Sequence, residues 1–326
     1  MTNNIKVEFI RSGLVESSHN VFLCHINRQG VIFDAGCKNK DKYFLRSCMK
    51  PLQMSIISDF DLEKHFNLSL PEIAVASSSH CGETLHVNLV RSILNKAGVS
   101  EDDLLCPAEA PLSKIAQDEL IAKNLPVLKV HSNCSGKHAM MLAACVKEGY
   151  DIKNYDSSSH PLQKHIKKKI AEIAAVSESD LPETLDGCGL PVYAMSLYDL
   201  AVSYLNLFCS TKYGVLLEAF IEYPYVIGGE NRLDSEIINA SSGNLIAKVG
   251  AGGLVVILNI KKQEAVALKV EDASMAARAV IAVEYLKAAG WLAQENIDNS
   301  ALSVLADTKI KTADKRIVGE VVCRLM

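Results

Sequence analysis

The sequence predicts a mixed α/β protein in which strands from both ends of the chain form one antiparallel sheet with flanking helices, and a mostly helical region is inserted between them. Three observations predict it. Strand-forming segments fill the first 36 residues and return at 245–270. Apolar residues recur at helical spacing through much of the middle. The connections within each group of strands are short and polar. The predicted division is 1–42 with 240–326 for the sheet-containing part and 43–239 for the helical part.

Lys6–Arg11 and Val21–Ile26 are β-rich. The turn of Asn27, Arg28, Gln29 and Gly30 joins the second of these to Val31–Phe33 as a hairpin. Leu45, Met49, Leu52 and Ile56 follow near helical spacing. Ser69 with Glu72 three residues on, and Pro71 between them, predicts a capped helix start. Thr84–Ala97 reads as a helix ended by Gly98. Further helices are predicted at 111–123, 136–148, 161–176, 191–208 and 212–221, with a glycine-containing loop at 224–232. Three strands at 245–249, 254–260 and 264–270 form a meander, because residues 261–263 are a short polar link. A helix over 273–289 and one more over 310–326 complete the prediction. The lysines between 164 and 169 read as a solvated helix face.

Composition bounds the function. The chain has 326 residues, is 49% hydrophobic and 22% charged, and carries a net charge of −4. It can build a core, and it lacks the cationic footprint of a nucleic-acid binder. No apolar run approaches the roughly 18–20 residues that span a bilayer. Residues 1–6 lack a basic flank followed by an apolar segment, which predicts no signal peptide and a cytoplasmic protein. The ten cysteines are too sparse for a disulfide scaffold. With no Cys-x-x-Cys pair, neither a zinc ribbon nor a thioredoxin-type site is expected.

Five segments carry reactive groups. Ser47 and Lys50 share a helix face at a spacing of three, so the lysine amine can serve as base for a hydroxyl that is otherwise a poor nucleophile. Ser-x-x-Lys also opens the active site of β-lactamases and penicillin-binding proteins, yet it equally suits a helix start with an exposed lysine. Ser77, Ser78, Ser79 and His80 precede a helix, where hydroxyls and main-chain N–H groups can meet an oxyanion; a serine-rich helix cap explains them as well. Asn133, Cys134, Ser135, Gly136, Lys137 and His138 lead into another helix, and Asp186, Gly187, Cys188 and Gly189 make a tight turn. Two cysteines with a histidine or lysine suit zinc, although free cysteines are commonly core residues. Lys269 stands alone in an apolar strand, costly to bury unless paired, or able to snorkel at the strand end.

Taken together and in this order, these strings resemble the rhizobial-type L-asparaginase II family, the class 3 asparaginases. The residues that carry the resemblance are Arg46-Ser47-x-x-Lys50-Pro51, Ser79-His80-x-Gly82-Glu83, Asn133 to His138, Asp186-Gly187-Cys188-Gly189-x-Pro191 and Ala267-Leu268-Lys269. Arg11-Ser12-Gly13 and Glu16-x-x-His19 add to them. The similarity runs from about Val7 to Val270. It implies a fold like that of serine β-lactamases and bacterial glutaminases, and hydrolysis of L-asparagine to L-aspartate and ammonia through an acyl-enzyme. It implies two Ser–Lys tandems, Ser47 with Lys50 and Ser79 with Lys269. It implies substrate contacts from Arg46, His80, Asn133, Glu16 and His19, a Zn2+ site at Cys134, Lys137 and Cys188, and a homodimer. Ser47 is the favoured nucleophile, since its lysine is one helical turn away. Cys48 and Cys81 stand where serine is expected, and Gly252 where an acidic residue is expected, which bears on substrate range. The alternatives are a glutaminase or other serine amidohydrolase, and a non-catalytic ligand-binding relative. The Ser-Asp-Asn and Lys-Thr-Gly motifs of β-lactamases are missing.

Overall fold

A computed structural model describes residues 4–36 and 41–325. The chain divides into two compact units: Met1–Cys48 with Met195–Leu205 and Asn231–Met326, and Met49–Ala194 with Asn206–Glu230.

The first unit is built on an antiparallel sheet. Its strands are β1 (Ile5–Arg11), β2 (Leu14–Asn27), β3 (Gly30–Ala35), β7 (Leu245–Gly250), β8 (Leu254–Asn259), β9 (Glu264–Val270), β10 (Lys309–Lys311) and β11 (Ile317–Leu325); the two-residue β4 (Tyr43–Phe44) also belongs to this unit. The strand order is β10-β11-β1-β2-β9-β8-β7, with β3 also on β2. N- and C-terminal strands therefore interleave. Val7 faces Cys323 across one pair and His19 across the other, while Phe22 faces Lys269. The edge strand β7 and its neighbour β8 are buried along their whole length. The helix Met275–Ala288 lies against β1, β8, β9 and β11.

The second unit is helical, with two short strands, β5 (Glu183–Leu185) and β6 (Pro191–Met195), paired antiparallel. Its centre is the helix Ser135–Glu148, buried from Ser135 through Cys145. That helix packs on Leu70–Ala76, Thr84–Ala97 and Pro161–Ala174. Each fully buried Met or Leu here contributes about 1.5–3 kcal/mol of apolar burial. The predicted cap holds: Ser69 main-chain N–H and hydroxyl both donate to the Glu72 carboxylate, at 2.6 and 2.7 Å.

Several predicted elements are corrected. The tail forms β10 and β11 rather than a helix; Val318, Val321 and Val322 are β-branched, and β1 offers an edge to pair with. Residues 191–208 are strand then helix. The break is at Ser196, whose hydroxyl accepts from Asp199 N at 3.0 Å and donates to its carboxylate at 2.7 Å, an N-cap that starts Leu197–Phe208. The helix predicted from 111 begins at Lys114, capped by Ser113. Pro224–Gly228 is a short helix, not a loop. The helical run from 45 to 56 is a 3-10 turn, Arg46–Met49, followed by the short helices Lys50–Gln53 and Ile56–Asp59. Pro51 cannot continue a helix through itself but can open one, so the helix restarts there.

Nine cysteines are free thiols among the described residues, and Cys37 lies outside them. Among the same residues no single helix is long and apolar enough to cross a membrane.

Candidate active site

The helical unit brings together four of the segments singled out in the sequence. The close approach that does so is at Gly136. A Cβ there would lie 2.2 Å from the Val75 carbonyl oxygen, so only glycine lets the start of Ser135–Glu148 rest against the end of Leu70–Ala76. Ser78 and Ser79 leave one helix end where Asn133, Cys134 and Lys137 enter the other.

Lys50 joins them. It is fully buried, and its Nζ lies 2.6 Å from Ser78 O, 2.9 Å from Asn133 O and 3.1 Å from Ser79 Oγ. Asn133 Oδ1 is at the edge of reach, 3.5 Å away. The two carbonyls can only accept, so each takes one N–H of Lys50. The third position on the nitrogen faces a hydroxyl, which can accept from an ammonium or donate to an amine. The amine is thus anchored in both protonation states.

Ser78 is itself tied down, its hydroxyl donating to Val75 O at 2.7 Å. His80 is fully buried. The Ser135 hydroxyl donates to Val130 O, leaving its lone pairs for His80 Nε2 at 2.9 Å, while His80 Nδ1 accepts from Gly82 N at 3.2 Å. That network assigns the proton to Nε2. Burial, with His86, Lys50 and His131 nearby, pushes His80 well below the usual imidazole value. Both of its nitrogens are committed inside the protein, so it fixes the turn that carries Ser79.

Next to Asn133 lies the predicted metal set. Cys134, Lys137 and Cys188 are all buried. A hydrogen bond from Cys188 holds the Cys134 thiol well below its usual value despite burial, with the charges of Lys50 and Lys137 acting in the same direction. Burial opposes the charge on Lys137, but Cys188, Cys134 and Asp186 outweigh it and raise its pKa. Asp186 Oδ2 is 3.9 Å from Lys137 Nζ. The two thiol sulfurs are of the donor type zinc takes, while Lys137, held as an ammonium by its neighbours, would have to lose its proton to join them. Asp186 was read only as part of a turn; a carboxylate two residues before a candidate ligand is the signal that could have marked it as a partner.

The remaining predicted residues belong to the sheet unit. Ser47 is partly exposed on the 3-10 turn, and Arg46 before it is partly buried with φ of 48°, a left-handed conformation rare outside glycine and common at functional sites. Cys48 anchors this turn, its thiol 3.1 Å from Lys248 O and its carbonyl accepting from Tyr204 OH at 2.9 Å. Glu16 lies at a bulge in β2, opposite the shift between Phe9 and Ile10, and pairs with Arg11. His19 contacts Asp272 at 2.6 Å and Ser17 at 3.1 Å. Lys269, on β9, donates to Val270 O and Glu271 O at 2.5 and 3.1 Å. Burial lowers its pKa, with Asp272 and Glu271 opposing.

The chain is similar to a β-lactamase from Mycobacterium bovis, with 12% identity over 84% of this chain and 95% of that one and a TM-score of 0.46. It is also similar to an octameric penicillin-binding protein homologue from Pyrococcus abyssi, with 15% identity over 82% and 73% and a TM-score of 0.38. No curated protein matches the sequence. The profile of L-asparaginase II matches residues 7–323, nearly all of the 326-residue chain, and the chain belongs to that family.

Proposed function

We propose that this member of the L-asparaginase II family hydrolyses L-asparagine to L-aspartate and ammonia through a serine–lysine acyl-enzyme. The observation that carries the reading is the clasp on Lys50: two carbonyls and the Ser79 hydroxyl around one fully buried amine. A buried lysine held this way can lose and regain a proton without leaving its place.

In the proposed reaction Ser47 Oγ attacks the side-chain amide carbon of asparagine. Its proton passes to Lys50, three residues on, and from Lys50 to the departing nitrogen, which leaves as ammonia. Water then attacks the aspartyl ester, delivers its proton by the same route, and frees Ser47. Ser79 takes part as the hydroxyl that exchanges a hydrogen bond with Lys50. Lys269, its pKa lowered by burial, is the second lysine of the network. Arg46, Asn133, Glu16 and His19 bind substrate, and His80 holds the Ser79 turn.

Cys134, Lys137 and Cys188 hold Zn2+ in this proposal, with Asp186 as their outer partner. When bound, the ion would tie these residues together and rigidify the site beside Asn133 rather than supply hydroxide. Lys137 and the thiols must give up their protons to bind it.

The test is covalent trapping. Wild-type protein treated with an acylating asparagine analogue and digested is expected to carry the adduct on the peptide containing Ser47, and Lys50→Met to carry none. An adduct on Ser79 in wild type would reassign the nucleophile. No adduct on any serine would remove the acyl-enzyme from the account.

A further inference from the structure

We propose that Cys81, Glu83 and His86 form a second divalent-metal site, one that takes a borderline cation such as Zn2+. The juxtaposition is of three donor types at one point. The Cys81 sulfur, a Glu83 carboxylate oxygen and a His86 ring nitrogen all lie within 4.8 Å of one another. Cys81 Sγ is 3.7 Å from His86 Nδ1. Thiolate, imidazole and carboxylate are the three ligand types that zinc combines when it keeps a fourth position open.

The surroundings are arranged as an outer shell. Tyr225 OH donates to Glu83 Oε2, and Ser113 lies close to the same side chain, which restrains the carboxylate. His86 is fully buried between the rings of His80 and Tyr225, stacked at centroid distances of 5.3 and 5.9 Å. The Tyr225 main chain lies against His86, and Nε2 has no close hydrogen-bond partner among the described residues. A metal on Nδ1 sets the tautomer with the proton on Nε2. Behind the sulfur, Gly229 leaves no room for a side chain: a Cβ there would sit 2.3 Å from Cys81 Sγ. The chain has closed around the thiol rather than left it a loose surface group.

There is also a way in. A cavity of about 360 Å³ is lined by Glu83 and Tyr225, and two more acids, Glu119 and Glu230, stand at its wall. Three carboxylates around one opening draw a cation towards the donors. On binding, the Cys81 thiol proton leaves to solvent as the sulfur–metal bond forms.

The experiment measures zinc bound per full-length chain after stripping, reloading with Zn2+ and dialysis. Cys81→Ser and His86→Gln are each expected to hold one equivalent less than wild type. Cys134→Ser is expected to keep that equivalent, so the result does not depend on whether the Cys134 set is filled. Tyr225→Phe leaves all three donors in place and is expected to weaken binding at this site by about 10–100-fold through its outer-shell bond alone. Co2+ in place of Zn2+ should give a thiolate-to-cobalt absorption component that Cys81→Ser removes. Equal zinc in wild type, Cys81→Ser and His86→Gln overturns the proposal. Should those two variants fail to fold, unchanged zinc affinity in both Tyr225→Phe and Glu83→Gln overturns it equally.

Discussion

Two of the buried lysines are held in opposite ways. Lys248, in the sheet unit, is fully buried with its Nζ 2.5 Å from the equally buried Asp234 carboxylate. Lys50, in the helical unit, is as deeply buried, and its Nζ bonds to two carbonyls and a hydroxyl. A carboxylate partner locks the ammonium form, because losing the proton would strand a buried anion. Carbonyls and a hydroxyl accommodate amine and ammonium alike. Burial of a lysine therefore does not by itself mark a catalytic group; the chemistry of what it touches does. The main-chain carbonyl of residue 248 accepts from the Cys48 thiol, a contact that does not involve the ammonium.

The comparison can be broken first at its active half. Ser47→Ala is expected to lower kcat by about 10⁴-fold or more, and Lys50→Met by about 10²–10⁴-fold, with the melting temperature kept in both. Ser79→Ala should cost less than either; a larger loss in Ser79→Ala than in Ser47→Ala would invert the assignment. The static half predicts the reverse pattern. Asp234→Ala leaves a buried ammonium alone and should cost about 3–5 kcal/mol in urea unfolding, while the folded protein turns over near the wild-type rate. Replacing both partners, Asp234→Leu with Lys248→Met, should recover most of that stability. A double variant as unstable as the single one would mean that the pair does more than neutralise itself.

Two smaller effects sharpen the picture. Gly136→Ala forces the two helix ends apart and should cost about 1–3 kcal/mol, with kcat falling alongside because Ser78 and Asn133 both hold Lys50. Stability lost with kcat unchanged would mean that the helix contact does not set the lysine. The smallest effect is in acid. Burial raises the Asp234 pKa, but Lys248 and Arg232 outweigh it and hold the group below its ordinary range. The folded value is thus below the unfolded value of about 3.9. Its contribution is full above that pH and is lost as pH falls through the folded value, where the unfolded chain binds more protons. Urea midpoints of wild type and Asp234→Asn should converge as pH drops below about 4; parallel curves would contradict the shift.

Much of this was legible in the sequence, and the rest failed for physical reasons. Thr84–Ala97 and the β7–β9 meander follow from local pattern and turn residues. Residues 191–208 did not, because one apolar run spans a strand and a helix and only the Ser196 cap divides them. The tail could not be read locally either, since β11 depends on an edge supplied by β1 more than 300 positions away. At the site, Ser47 with Lys50 is a sequence-local spacing. The contact of Lys50 with Ser79 and Asn133 is tertiary, made by the helix contact at Gly136. The Asp234–Lys248 pair carries no string that distinguishes it from core residues, and although Cys81 and Glu83 lie in a string that stands out, nothing local joins them to His86.

The central claim is that a lysine anchored by carbonyls drives amide hydrolysis in this chain. The measurement that tests it most directly is ammonia release from L-asparagine, with L-glutamine as reference, by zinc-loaded wild-type protein and Lys50→Met. The account predicts release from asparagine well above glutamine in wild type, and near-background release in a Lys50→Met protein that melts like wild type. No release from asparagine by the wild type, or release that survives in Lys50→Met, would contradict it.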